Sequence, residues 1–139
     1  MIILGRDDMI RRYRGCQTFF KEGCLFFCLL SIAEEFLQKK LDCLDILAYT
    51  KKMGYIDENN EMTEDSQVKL LHDLTDKQWK RSVLKELPLN VPDEMYTVEK
   101  WLNPRTGFTH FRRRYVDTLL DSVTVKEGTL VAYYAYTWR

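Results

Sequence analysis

Apolar residues recur at a helical period in the first half of the chain. Between Cys24 and about Lys40 they repeat every three or four positions, which predicts a helix. The first turns of this helix are apolar on every side, so we expect it to begin inside the protein. It should then emerge toward four polar residues: Glu34, Glu35, Gln38 and Lys39.

Two shorter helices are predicted downstream from their capping residues. One runs from Ile46 to Met53, where either Asp42 or Asp45 could provide the N-cap and Gly54 ends the helix. The other begins after Thr63, a residue type that is favoured at the N-cap, and carries acidic residues in its first turn.

The character of the sequence changes after Pro88 and Pro92, which bound a loop. β-branched and aromatic residues then dominate and predict strands, separated by turns at 103–107 and 127–128. Helices followed by antiparallel strands are typical of an α+β domain. No repeat or linker divides the chain, so we expect a single domain over residues 1–139.

Composition narrows the classes of partner. The chain has 139 residues, of which 45% are hydrophobic, and its 21 basic residues equal its 21 acidic ones. We therefore expect no attraction to nucleic acid or to membranes, and the longest apolar run is too short to cross a bilayer. Four cysteines without a secretory segment favour a reducing compartment. The expectation is a cytoplasmic protein that is a monomer or a weak homo-oligomer.

Cys24 is the strongest candidate for chemistry, because Gly23 introduces it at the first turn of a helix. The N–H groups and the positive end of the helix dipole stabilise a thiolate at that position. The alternative is a small apolar residue within a packed helix. Cys28 lies one turn deeper on the same face, and we interpret it as a core residue.

His110 is the candidate partner of Cys24. It lies far downstream in a segment rich in strand formers, whereas His72 lies on a polar helix flank and is interpreted as a surface residue. An imidazole within reach of the thiol would take its proton and return it to the leaving group. The alternative is a histidine whose hydrogen bonds are satisfied within a sheet.

A carboxylate that accepts the second N–H of the imidazole would orient His110, and Asp117 and Asp121 are the candidates. If residues 112–115 form a tight hairpin turn, Asp117 lies across from His110 on one face, with Phe111 on the covered face. The turn lacks glycine and asparagine, however, and a straight strand would carry Asp117 roughly 20 Å away.

Gly23-Cys24 opens a long apolar helix, and a Gly-x-x-His-Phe strand with an aspartate after it follows. This combination resembles the papain-like cysteine peptidases. A closer likeness is to a group of compact bacterial, plasmid and phage proteins of the spirochaete type, related to bacteriocin leader peptidases. It rests on three segments: Gly-Cys-Leu-Phe-Phe-Cys-Leu-Leu, Asn-Pro-Arg-Thr-Gly-Phe-Thr-His-Phe and Thr-Val-Lys-Glu-Gly.

The resemblance implies a helix bearing Cys24 packed against an antiparallel sheet bearing His110, with the site in the cleft between them. It implies hydrolysis of a peptide or amide bond in a peptide or protein substrate, without a cofactor. It also implies that Gln17 donates into an oxyanion hole together with the backbone N–H of Cys24, and the alternative for Gln17 is a polar loop residue. Leu25 and Phe26 depart from the small residues that usually follow the cysteine, and would narrow the cleft or mark a fold whose chemistry has lapsed.

Three alternatives compete with this interpretation. A zinc site could draw on Cys16, Cys24, Cys28 and a histidine, although the chain has no Cys-x-x-Cys knuckle. The basic run 112–114 could contact phosphates, but in a neutral chain it more often forms a solvated turn. A papain-like scaffold without activity could recruit a partner through its aromatic C-terminal strand, residues 133–138.

Overall fold

Three helices lead the chain and four strands follow. The computed structural model describes residues 24–59, 61–107, 109–113 and 128–139. The helices are α1 (Cys24–Leu37), α2 (Cys43–Lys52) and α3 (Glu64–Thr75). The strands are β1 (Trp79–Leu84), β2 (Met95–Leu102), β3 (Thr109–Arg112) and β4 (Thr129–Trp138). The predicted α+β class is confirmed.

Helix α1 lies at the centre of the core. All residues from Leu25 to Glu34 are buried, and exposure begins only at Gln38. The expectation that the helix emerges toward polar residues is therefore wrong for Glu34 and confirmed for Gln38 and Lys39, and the apolar first turns are confirmed. Gln38 has a φ of 55°, which ends the helix before the predicted Lys40. No helix among the described ranges combines the length and the apolarity that a bilayer span requires.

Of the two predicted N-cap candidates for the second helix, Asp42 is the cap, and the helix begins at Cys43 and not at the predicted Ile46. The predicted cap of the third helix, Thr63, is confirmed. Asp42 is the N-cap of α2, where its side chain accepts a hydrogen bond of 2.9 Å from the backbone N–H of Asp45. Thr63 caps α3 in the same way, by accepting from the N–H of Ser66 at 3.1 Å. Gly54 follows α2 with a φ of 73°, a left-handed conformation that glycine adopts without strain.

The sheet is antiparallel, with strand order β1-β4-β2-β3. β4 is thus an interior strand, and β3 lies at one end of the described sheet. The turn predicted between β2 and β3 is confirmed: the N–H of Gly107 donates to the carbonyl of Asn103 at 2.8 Å, and Gly107 has a φ of 77°. β1 was not predicted, because polar residues occupy its three consecutive positions 80–82.

The strand register assigns each side chain to one of two faces. Paired residues share a face, and the face alternates along each strand. Phe36 of α1 contacts the rings of Trp79 and Trp138 at centroid distances of 5.6 and 5.0 Å, which identifies the helix-packed face. That face also carries Tyr96, Val98, Phe111, Tyr134 and Tyr136. The opposite face carries Glu99, Trp101, His110, Arg112, Tyr133 and Ala135.

Candidate functional site

Cys24 is the first residue of α1, so its backbone lies at the N-terminus of a helix. Its side chain is not among the described parts of the structure. The residues that follow, Leu25, Phe26 and Phe27, are buried in the core. Cys28 is buried with them, which confirms its interpretation as a core residue. The helix start therefore places residue 24 where the helix dipole is positive.

His110 lies on β3, directly opposite Trp101 of β2. Its side chain is 8% exposed, and its Nε2 atom is enclosed by the protein. The neighbouring Phe111 packs against the helical core, so His110 lies on the opposite face of the sheet. The predicted assignment of these two residues to different faces is confirmed. Because α1 packs on the Phe111 face, the described register does not place His110 in a cleft between α1 and the sheet, which the resemblance implied. A meeting of Cys24 with His110 would instead lie at the β3 end of the described sheet.

Three side chains on the face of His110 bind one another, and we call them the Trp101 cluster (Glu99, Trp101 and Arg112). Glu99 Oε1 accepts a hydrogen bond of 2.6 Å from Arg112 Nε and one of 3.0 Å from Trp101 Nε1. The guanidinium of Arg112 lies 5.0 Å from the centroid of the Trp101 ring. Glu99 is buried, so these contacts are shielded from solvent. The cluster fixes the indole that lies across from His110.

Arg113 extends to the other face and binds α1. Its Nη1 donates to Glu35 Oε2 at 2.6 Å and to Ser31 Oγ at 3.0 Å. The guanidinium also lies 5.8 Å from the centroid of the Tyr96 ring. We call Ser31, Glu35 and Arg113 the Arg113 clasp. It joins the end of the strand that carries His110 to the helix that begins at Cys24.

The prediction of a solvated turn for the basic run is therefore wrong for Arg112 and Arg113. Each makes an ion pair that is largely withdrawn from water, with Glu99 and Glu35 respectively. One of these pairs could have been found in the sequence, because a turn at 103–107 places Glu99 opposite Arg112. Glu35 lies on a separate helix, and no local pattern connects it to Arg113.

Several candidate residues lie outside the described part of the chain. These are Gln17, the predicted oxyanion donor, the two carboxylates Asp117 and Asp121, and Cys16. The proposed hairpin at 112–115 also extends beyond it, and β3 ends at Arg112. Their roles stay predictions.

The alternative interpretations of the sequence can be checked against the residues that the structure describes. Within them, no three side chains of the metal-binding types His, Cys, Asp and Glu form a cluster that could hold a metal ion. His72 is exposed, as predicted, and its Nδ1 lies 2.8 Å from the carbonyl oxygen of Lys77. Strand β4, the predicted partner-binding strand, is paired along both edges, and its Tyr136 is buried.

Comparisons of the chain with protein-family models, with curated proteins and with solved structures found no match. Membership of the papain-like superfamily is therefore a proposal. The described residues provide an α+β fold, a helix that starts at Cys24, and a buried histidine on a strand that packs against that helix.

Proposed function

We propose that the protein is a papain-like cysteine hydrolase that cleaves a peptide or amide bond with Cys24 and His110. One observation carries this proposal: α1 starts at Cys24 and packs against β3, the strand with the buried His110. The free N–H groups and the dipole at a helix N-terminus lower the pKa of a cysteine thiol. A nearby imidazolium would lower it further.

The reaction that this pair supports proceeds in two stages. The Cys24 thiolate attacks the carbonyl carbon, and the C–N bond breaks as His110 protonates the leaving nitrogen, which leaves a thioester on Cys24. Water then attacks the thioester while His110 accepts its proton, and the acid product leaves as the thiol is restored. Asp117 would orient the imidazole, and Gln17 would stabilise the oxyanion.

In this proposal, the substrate would bind at the sheet face that carries His110. The scissile bond would lie at the β3 end of the sheet, on the side of Trp101, which is directly opposite His110. The Trp101 cluster would then form one wall of the cleft.

The reactivity of Cys24 tests the proposal. The rate of its alkylation by iodoacetamide, followed by mass spectrometry of the labelled peptide, gives the pH at half-maximal reactivity. We expect this midpoint at least about one pH unit below the ordinary thiol value of about 8.5, and a return toward that value in His110→Ala. His72→Ala is the matched control and should leave the midpoint in place. Ordinary reactivity of Cys24 in the wild type would overturn the proposal.

A cysteine placed on β3 tests the geometry directly. A bifunctional maleimide spans more than the roughly 4.4–6.8 Å between Cα atoms that a disulfide requires, so it should join Cys24 to the thiol of His110→Cys if the two residues face each other. Phe111→Cys is the comparison, because residue 111 lies on the face of the same strand that packs against α1. A cross-link from position 111 and none from position 110 would show that His110 does not face Cys24.

A further inference from the structure

We infer that Arg113 is a positioning residue that sets the distance between the helix start at Cys24 and the strand that carries His110. The inference rests on the proposed function, since it gives the Arg113 clasp a role in that reaction. Arg113 follows His110 by three positions, and Glu35 belongs to the same helix as Cys24. The clasp therefore connects the two elements that must supply the nucleophile and the base.

The Arg113 clasp is more buried and has more hydrogen bonds than a solvated surface ion pair. The side chains of Arg113 and Glu35 are only 12% and 17% exposed. Removing two charges from water is costly and is offset only when the geometry is good and further hydrogen bonds form. Arg113 meets both conditions, because Nη1 binds Glu35 and Ser31 at the same time and the guanidinium lies near the Tyr96 ring.

Strand β3 depends on such a contact. It is only four residues long, and in the described sheet it pairs with β2 alone. A short strand with one neighbour can shift relative to a helix more easily than an interior strand can. Because a displacement of about 1 Å between catalytic groups can cost a hundredfold in rate, a contact that fixes this separation has a direct effect on chemistry.

Arg81 offers a matched comparison on another part of the molecule. Its side chain is 14% exposed, its Nη2 lies 3.5 Å from Glu64 Oε2, and its guanidinium lies 4.3 Å from the centroid of the Tyr134 ring. It thus shares with Arg113 a withdrawn guanidinium beside an aromatic ring, although its partner Glu64 is 58% exposed, and it joins α3 to β1. Neither of these elements carries Cys24 or His110.

The experiment compares Arg113→Met with Arg81→Met. Both variants should lower the midpoint of thermal unfolding, because each loses the ion pair and the aromatic contact of a guanidinium that is largely withdrawn from water. Only Arg113→Met should move the pH midpoint of Cys24 alkylation toward about 8.5, with a loss of about tenfold in the rate at pH 6.5. Arg113→Lys, which keeps the charge near Glu35, should restore most of that rate. If Arg113→Met does not fold, Glu35→Gln removes the same ion pair and should give the same shift.

The outcomes separate the two proposals. If alkylation of wild-type Cys24 at low pH does not depend on His110, the hydrolase proposal fails. The positioning role of Arg113 then fails with it. If the wild type shows that reactivity and Arg113→Met keeps the profile of Arg81→Met, the proposed function stands and the positioning role is wrong.

Discussion

At the scale of single residues, the period of the hydrophobic positions did not predict which polar side chains would be buried. Glu34 and Gln67 are both buried, although each residue type is usually exposed. Gln67 Oε1 accepts a hydrogen bond of 2.7 Å from the hydroxyl of Tyr136, and Gln67 Nε2 donates to the carbonyl of Met62 at 3.0 Å. Tyr136 lies on the last strand, so no local pattern could have identified it as a partner of α3.

A second polar cluster makes the stability of the folded state depend on pH. Asp73 Oδ2 accepts hydrogen bonds from the hydroxyls of Tyr49 and Tyr55, at 2.5 and 2.7 Å. The hydrogen bond to Asp73, followed by burial and the negative charge of Asp73, raises the pKa of Tyr55 to about 12. An unfolded tyrosine ionises near pH 10, so between about pH 10 and 12 the folded state keeps a proton that the unfolded chain has lost. The stability from this pKa difference is complete below about pH 10 and is lost as the pH rises to 12.

We therefore expect the free energy of unfolding of the wild type to fall more steeply between about pH 10 and 12 than that of Tyr55→Phe, which has no hydroxyl to ionise. Urea unfolding at a series of pH values measures both slopes. Tyr133→Phe, which changes a half-buried tyrosine of β4 outside the Asp73 cluster, is the control and should keep the wild-type slope on this account. Equal slopes for the wild type and Tyr55→Phe would contradict the assignment.

At the scale of elements, features set by neighbouring residues were predicted well. The caps at Asp42 and Thr63 each depend on a contact three residues away, and the turn that ends at Gly107 depends on a contact within five residues. β1 was missed because its sequence has few strand-forming residues, and it forms a strand through pairing with β4, far along the chain. For the same reason the ion pair of Arg113 was not predicted, since Glu35 belongs to a distant helix, whereas the pair of Arg112 with Glu99 could have been found across the predicted turn.

The turn between β2 and β3 can be tested by a substitution that adds only one methyl group. Gly107 has a φ of 77°, and a Cβ placed there would meet no atom within 4 Å, so Gly107→Ala adds backbone strain without a clash. We expect a loss of about 1–2 kcal/mol in the free energy of unfolding, because non-glycine residues rarely adopt this conformation. Gly107→Asn should lose less, since asparagine tolerates left-handed φ values better.

Gly54 provides a matched control, with a φ of 73° and equally open surroundings. Gly54→Ala should cost a similar amount by chemical denaturation. A much larger loss for Gly107→Ala alone would mean that the hairpin carries constraints beyond this local strain.

At the scale of the whole molecule, strand pairing joins the two parts of the described chain that the β1–β2 loop separates. The helices and β1 belong to its first part and β2 to β4 to its second, yet β1 pairs with β4 along its full length. The helices also pack on both parts, as the contacts of Phe36 with Trp79 and Trp138 show. The amino-acid pattern predicted helices followed by an antiparallel sheet, but it could not predict strand order, because antiparallel pairing depends on residues far apart in sequence.

This pairing predicts that the chain can be cut between its two parts without coming apart. The loop between β1 and β2 is exposed at Leu89, where an inserted recognition site for a specific protease should be accessible. After cleavage, we expect the two fragments to elute together in size-exclusion chromatography, because β1–β4 pairing and the core around α1 hold them. In 6 M guanidinium, about the range that unfolds even hyperstable domains, they should separate. Separation in native buffer would mean that the helices and the sheet do not share one core. That result would refute the single-domain prediction. It would also contradict the positioning role of Arg113, because this role requires α1 and β3 to be held in one rigid unit.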